Sequence, residues 1–215
     1  MCFSQLSSLL ALSVGICTSG AAYLYHYKVL SIFILIVSWV QFSEFLIWRG
    51  LDTNNHKMNQ FGTSLTKTLI GLHGVAVCIA VFIFAMPKQS WRQYALIACT
   101  LLALTSYGII VEAPYGQTTE AGCAVGCRLK WGFPDYSTSV SYAIGFAIIF
   151  IAFLLSNISL MQTFIIFAYY AITFWVCILT AKKNGLVEAI STTWCYVASI
   201  ASPIVVATLV LGNIR

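Results

Sequence analysis

The sequence predicts an all-α protein, a polytopic membrane bundle of seven transmembrane helices with its termini on opposite sides. Three observations carry this expectation. Of 215 residues, 60% are hydrophobic and only 8% charged, whereas soluble domains carry about 25% charged residues. The apolar character recurs in seven segments of about the 20 residues that a bilayer crossing requires. Short polar breaks separate them, and the largest polar stretch, around 113–135, is too small for a soluble domain. The chain reads as a single integral membrane domain over 1–215.

The first span is 4–25. Its SGAA at 19–22 has the small residues of a signal cleavage site, but no Lys or Arg precedes it. A signal n-region is basic, so the stretch reads as a membrane helix. HYK at 26–28 leads to the second span, 29–49, and LDTNNHKMNQ at 51–60 leads to the third, 63–86. MPKQSWRQ at 86–93 opens the fourth, 93–112, which is followed by the long loop 113–135. The fifth and sixth spans, 137–156 and 158–181, meet at SNIS, 156–159. Without that break the helix would run for 45 residues, from 137 to 181, which no bilayer requires. KKNG at 182–185 precedes the seventh span, 186–211.

The formal charge of +5 is scattered over the connections, with no basic run suited to nucleic acid. The partner implied is the lipid bilayer, with a homo-oligomer or a larger membrane complex as a further expectation. Connections on the N-terminal side hold Arg49, Lys57, Arg128, Lys130, Lys182 and Lys183. The other side holds Lys28, Lys88, Arg92 and Arg215. Six against four leans towards a cytoplasmic N-terminus under the positive-inside rule. Cys123 and Cys127 stand in the long loop at a spacing that admits a disulfide, which implies an oxidising compartment. Two cysteines alone make no metal site, and two unlinked thiols are the alternative. The other six cysteines lie in or beside helices, as small buried hydrophobes do. The sequon Asn157-Ile158-Ser159 falls in a tight turn against the membrane and reads as chance.

Function is sought among the ionisable groups inside spans, because each costs roughly 2.5–3.5 kcal/mol on insertion scales. Four stand out: Glu44 in span two, Lys67 and His73 in span three, and Glu188 early in span seven. Alternation of direction puts most of them in the N-terminal half of the membrane, with His73 near the midplane. Gln41, Glu44 and Trp48 share one helix face at spacings of three and four. Glu188, Thr192, Cys195, Ser199 and Ser202 form a polar stripe along span seven, with Pro203 beside its end. Such a stripe lines a cavity or packs helices. Plainer roles exist for the others: Lys67 snorkelling to the surface, His73 bonded to a neighbouring helix, Glu188 capping its helix. Glu44 is too deep for these and needs a partner, a cavity or a proton, and Lys67 is the expected partner.

Met1-Cys2-Phe3-Ser4, Gln41-x-x-Glu44-x-x-x-Trp48 and Trp194-Cys195-Tyr196, followed by Ser199 and Ser202, resemble a family of small, mainly bacterial, multi-pass membrane proteins that begin with MCFS. That family has no established activity. The resemblance implies the architecture and draws attention to Cys2, Glu44 and Cys195 without giving them a role.

Other seven-span classes fit badly. Span seven has no lysine for a retinal Schiff base. The three histidines, His26, His56 and His73, are too few and too scattered for a membrane zinc hydrolase. No Walker motif, nucleophile elbow or HExxH occurs, and no catalytic residue is assigned. The expected function is binding or permeation of a proton, a cation or a small polar solute in a pocket near the N-terminal side. The pocket residues are Gln41, Glu44, Trp48, Lys67, His73, Glu188, Thr192 and Ser199. A soft metal ion is a sub-case, with Cys2, Cys195 and His73 as ligands. The alternative is a non-catalytic subunit of a larger assembly, in which Glu44 makes a register-fixing ion pair. A membrane-embedded enzyme using Cys2 or Cys195 as nucleophile ranks third, since a cysteine nucleophile needs a nearby base.

Overall fold

The computed structural model describes residues 4–112, 118–122, 128–130, 136–183 and 190–213. Seven helices follow the chain: α1 Gln5–Leu24, α2 Lys28–Asp52, α3 His56–Phe84, α4 Ser90–Glu112, α5 Tyr136–Leu155, α6 Leu160–Lys183 and α7 Ile190–Asn213. Six are long and apolar enough to cross a membrane, and α5 is apolar over Ile144–Leu155. Exposed Leu, Ile, Phe and Trp side chains cover the outside of the bundle, as contact with lipid tails requires.

Local chemistry sets the helix ends. Ser4 caps α1 through a reciprocal pair in which Ser7 N donates to Ser4 Oγ at 3.3 Å and Ser4 N to Ser7 Oγ at 2.7 Å. The break expected over 51–60 is only a three-residue turn, and α3 starts at His56 rather than near 63. His56–Gln60 is polar but contains no Gly or Pro, and polarity alone does not stop a helix. The turn is made by Asn54 in the left-handed region (φ 51°), and the Asn55 side chain accepts from Met58 N at 3.1 Å.

Gln5 Nε2 donates to Asp52 Oδ2 at 2.7 Å, so the start of α1 and the end of α2 share one end of the bundle, the N-terminal end. At the opposite end Tyr27 Oη donates to Leu209 O at 2.8 Å. There too, Asn157 N donates to Ala85 O at 3.1 Å and Asn157 Nδ2 to Met86 O at 2.6 Å. Four hydrogen bonds tie helix ends and interhelix turns in this way, and the sequon asparagine makes two of them.

Helix α2 is central and packs on α1, α3 and α7. Without a hydrophobic drive between helices in lipid, close approach at small residues holds such contacts. On α1 the buried face is Ser8, Ala11, Gly15, Thr18, Ser19 and Ala22. Ser19 Oγ donates to Ser31 O at 2.9 Å, and Ser31 Oγ donates back to Ser19 O at 2.8 Å. On α3, Gly62 lies against Ser43 and Ile47, and Ser43 Oγ and Thr66 Oγ1 share a hydrogen bond of 2.7 Å. Deeper, the Phe33 ring meets Tyr170 edge-on at 5.0 Å, Phe153 at 6.3 Å and His73 at 6.4 Å, joining α2 to α6, α5 and α3. Pro203 removes the amide that would bond Ser199 O, and the Ser202 hydroxyl donates to that carbonyl at 2.7 Å instead.

The connection read as a loop, 113–135, contains a short antiparallel ribbon, β1 Glu120–Gly122 and β2 Arg128–Lys130, with Ala121 paired to Leu129. It is anchored on α3. Thr119 N donates to Asn59 Oδ1 at 2.8 Å and Asn59 Nδ2 donates to Thr119 O at 2.9 Å, so the side chain imitates a strand partner. Leu129 is buried, and β2 rests against α7. Asn59→Ala is expected to leave two buried backbone groups unpaired, a cost of about 1–3 kcal/mol. Amide exchange over 118–130 should then accelerate while the helices stay protected; unchanged exchange there would rule out Asn59 as the anchor.

Candidate functional site

Spacings of three and four along α2 put Gln41, Glu44 and Trp48 on one stripe over two turns. All three are buried, Gln41 at 0% and Glu44 at 4% exposure. Gln41 lies beside the Glu44 carboxyl, but without hydrogen-bond alignment. As a result Gln41 Oε1 and Nε2, Glu44 Oε1 and Trp48 Nε1 have no hydrogen-bond partner among the described residues. Buried polar side-chain atoms are paired in the large majority of cases, so four orphans on one helix face form an unusual cluster. They comprise two acceptors, one amide donor and one indole donor.

Helix α7 supplies the facing wall. Cys195 is buried there, within electrostatic range of both Glu44 and Cys177 of α6. The stripe expected along α7 is partly self-satisfied, since Ser199 Oγ donates to Cys195 O at 2.9 Å and Ser202 repairs the proline site. Thr192 falls in the first turn of α7, and Glu188 lies outside the described residues.

Lys67 and His73 face elsewhere. Lys67 is buried and shares a stripe of α3 with Gly71 and Gly74, which lie against Tyr107 and Ala103 of α4. Glu44 lies within electrostatic range of Cys195 on α7, and the α3 stripe that carries Lys67 also carries glycines that lie against α4 and α5. His73 Nδ1 lies 2.8 Å from Leu69 O and 3.0 Å from Ile70 O. Both neighbours are acceptors, so Nδ1 carries the hydrogen and Nε2 presents a lone pair. Nε2 has no partner among the described residues, and the ring lines a cavity of about 10 Å³ with Gly71, Gly74, Ser106 and Gly145. That volume suits about one water molecule.

The level of His73 is that of Phe33, eleven residues before Glu44 on α2, or roughly 16 Å along the axis. His73 and Cys195 therefore belong to different levels of the bundle. Among the described residues no group of three His, Cys, Asp or Glu side chains is arranged to hold a metal ion. Cys2, Cys123 and Cys127 lie outside the described residues.

No family model, curated protein or solved structure matches the chain. The site's chemistry is carried by its own atoms.

At the opposite end, a cleft of about 420 Å³ is lined by Tyr25, His26, Lys28, Phe84, Asn157 and Gln162, among others. Its residues come from three connections far apart in the chain, and HYK at 26–28 alone reads as a mere break.

Proposed function

We propose that the chain is a seven-span membrane protein whose α2–α7 interface, in the N-terminal half, binds or conducts a proton or a small polar solute. The observation that supports this most directly is the set of four buried, unpartnered polar atoms on Gln41, Glu44 and Trp48. Leaving such groups unpaired in a membrane interior is expensive, and a water-borne proton or a polar solute would satisfy donors and acceptors together. The indole N–H disfavours a bare cation at the same spot, because it presents positive charge. Glu44 is the titrating or accepting group in this reading, Gln41 orients it and Trp48 donates to the occupant. With six Lys and Arg residues in the N-terminal-side connections against four opposite, the pocket opens towards the cytoplasm under the positive-inside rule.

The test is proton flux into liposomes containing purified protein and an entrapped pH dye, under an imposed potential. Wild-type protein is expected to acidify the lumen faster than empty vesicles, and Glu44→Gln, which keeps the shape and removes the charge, to abolish the difference. Flux that is unchanged in Glu44→Gln, with the variant folded, would exclude the proton reading. A metal occupant would need Cys2 to join Cys195. Plasma mass spectrometry of wild type beside Cys2→Ser decides that sub-case, through stoichiometric metal present in one and lost in the other.

A further inference from the structure

The acidic residues of this chain are distributed unevenly. All six Asp and Glu lie in α2's second half, at the end of α4 or in the N-terminal-side connections: Glu44, Asp52, Glu112, Glu120, Asp135 and Glu188. The segments at the opposite end, 25–27, 85–89 and 156–159, contain none, whereas Lys28, Lys88 and Arg92 lie in or next to them. The charged side chains of that end are all basic, and it contains the cleft of about 420 Å³.

The cleft's own groups point the same way. Lys28 is the first residue of α2, and its Nζ sits over the Tyr23 and Phe84 rings at 5.6 and 5.4 Å, with no Asp or Glu in the three connections of that end. A cation at the positive end of a helix dipole is of the wrong sign unless an anion joins them. Tyr27 provides no side-chain cap for α2, and the helix has no acidic residue in its first turn. Its first amide groups belong to residues that line the cleft, Lys28, Val29 and Leu30. His26 reaches the same cleft from a left-handed position (φ 65°), and Gln162 adds an amide from α6. Met86 and Phe84 bring exposed apolar surface into the lining, and Leu24, Leu160 and Met161, next in sequence to lining segments or close to them, are exposed apolar residues of the same end.

We infer that this cleft is a binding site for a phosphate-type anion, seated on Lys28, His26 and the start of α2, with the headgroup of an anionic membrane lipid as its source. The exposed apolar side chains of that end favour the lipid over free phosphate, since acyl chains would lie along Leu24 and Leu160 while the headgroup enters the cleft. Basic pockets between membrane helices bind anionic headgroups in this manner.

The test is native mass spectrometry of the full chain in detergent, titrated with phosphatidylglycerol or phosphatidylcholine. Wild type is expected to retain phosphatidylglycerol preferentially. Lys28→Gln should weaken that retention about fivefold, the effect of one basic residue near a lipid headgroup. Lys57→Gln, at the other end, should leave it unchanged. His26→Gly is the second variant, because glycine suits the left-handed turn and keeps the fold while removing the imidazole. It should lower retention even if Lys28→Gln does not fold. Competition by inorganic phosphate at matched ionic strength separates the sources. Displacement of the lipid by phosphate assigns the site to soluble anions, and no displacement assigns it to lipid. Equal retention of both lipids by wild type, or equal phosphatidylglycerol retention in wild type and folded variants of Lys28 and His26, would overturn the inference.

Discussion

Gly62→Leu is expected to prevent α2 and α3 from packing and to yield a protein that unfolds at far lower temperature in detergent, or fails to assemble. A Cβ built on Gly62 would meet Ile47 Cγ1 at 2.8 Å and, with no room to yield, Ile47 N and Ser43 O at 3.0 Å. Two of those contacts are backbone, which cannot turn aside as a side chain can. Forcing even one methyl group into such a seam costs about 1–3 kcal/mol, and native proteins have only about 5–15 kcal/mol of stability in all. Leucine adds three more carbons in the same place. The displacement would also separate Ser43 from Thr66, whose hydroxyls share a hydrogen bond of 2.7 Å. Gly62→Ala should lower stability by about 2 kcal/mol, and Gly20→Leu, with nothing within 4 Å of its Cβ, should be silent. Equal melting temperatures for Gly62→Leu and Gly20→Leu would mean that the α2–α3 seam is looser than described.

This glycine also shows what the sequence can and cannot reveal. Hydropathy alone located the seven helices to within a few residues at most ends, because apolar length is imposed by the solvent rather than by neighbours. The start of α3 was the exception, since polar residues such as His56 and Asn59 continue a helix as readily as they leave one. Helix phase groups Gln41 with Glu44 and Trp48, since that grouping needs only one helix. What depends on two helices was illegible. Lys67 and Glu44 sit at similar depth, which made a pair plausible, but depth does not say which way a side chain points. The stripe of α3 that carries Lys67 also carries Gly71 and Gly74, which lie against α4 and α5. The α7 stripe reads as one feature, yet Ser202 serves the carbonyl freed by Pro203, while Cys195 is buried within electrostatic range of Glu44. The basic cleft depends on three turns that are far apart in the chain, so no local pattern could announce it.

The prediction that best divides a functional pocket from a structural one concerns Gln41 and Glu44 together. Replacing both by methionine is expected to raise the melting temperature while eliminating flux or solute binding. Methionine is unbranched and adapts to irregular space, and it carries no polar atom that needs a partner. The wild-type protein holds Gln41 Oε1, Gln41 Nε2 and Glu44 Oε1 buried with no hydrogen-bond partner among the described residues. Each such group costs about 1–3 kcal/mol relative to a paired or apolar one, so the double variant should gain about 2–4 kcal/mol, after some loss to imperfect packing. A structural ion pair predicts the opposite sign. Removing one member of a buried, compensated pair leaves the other exposed to the low-dielectric interior and destabilises by about 3–5 kcal/mol. The measurement is thermal unfolding of wild type, Glu44→Met and the double variant in one detergent, with the liposome assay run on the same preparations. A stabilised, inactive double variant fits a pocket whose unpaired groups are kept for an occupant. A double variant that melts earlier would turn Glu44 into a structural residue and leave the pocket without its central group.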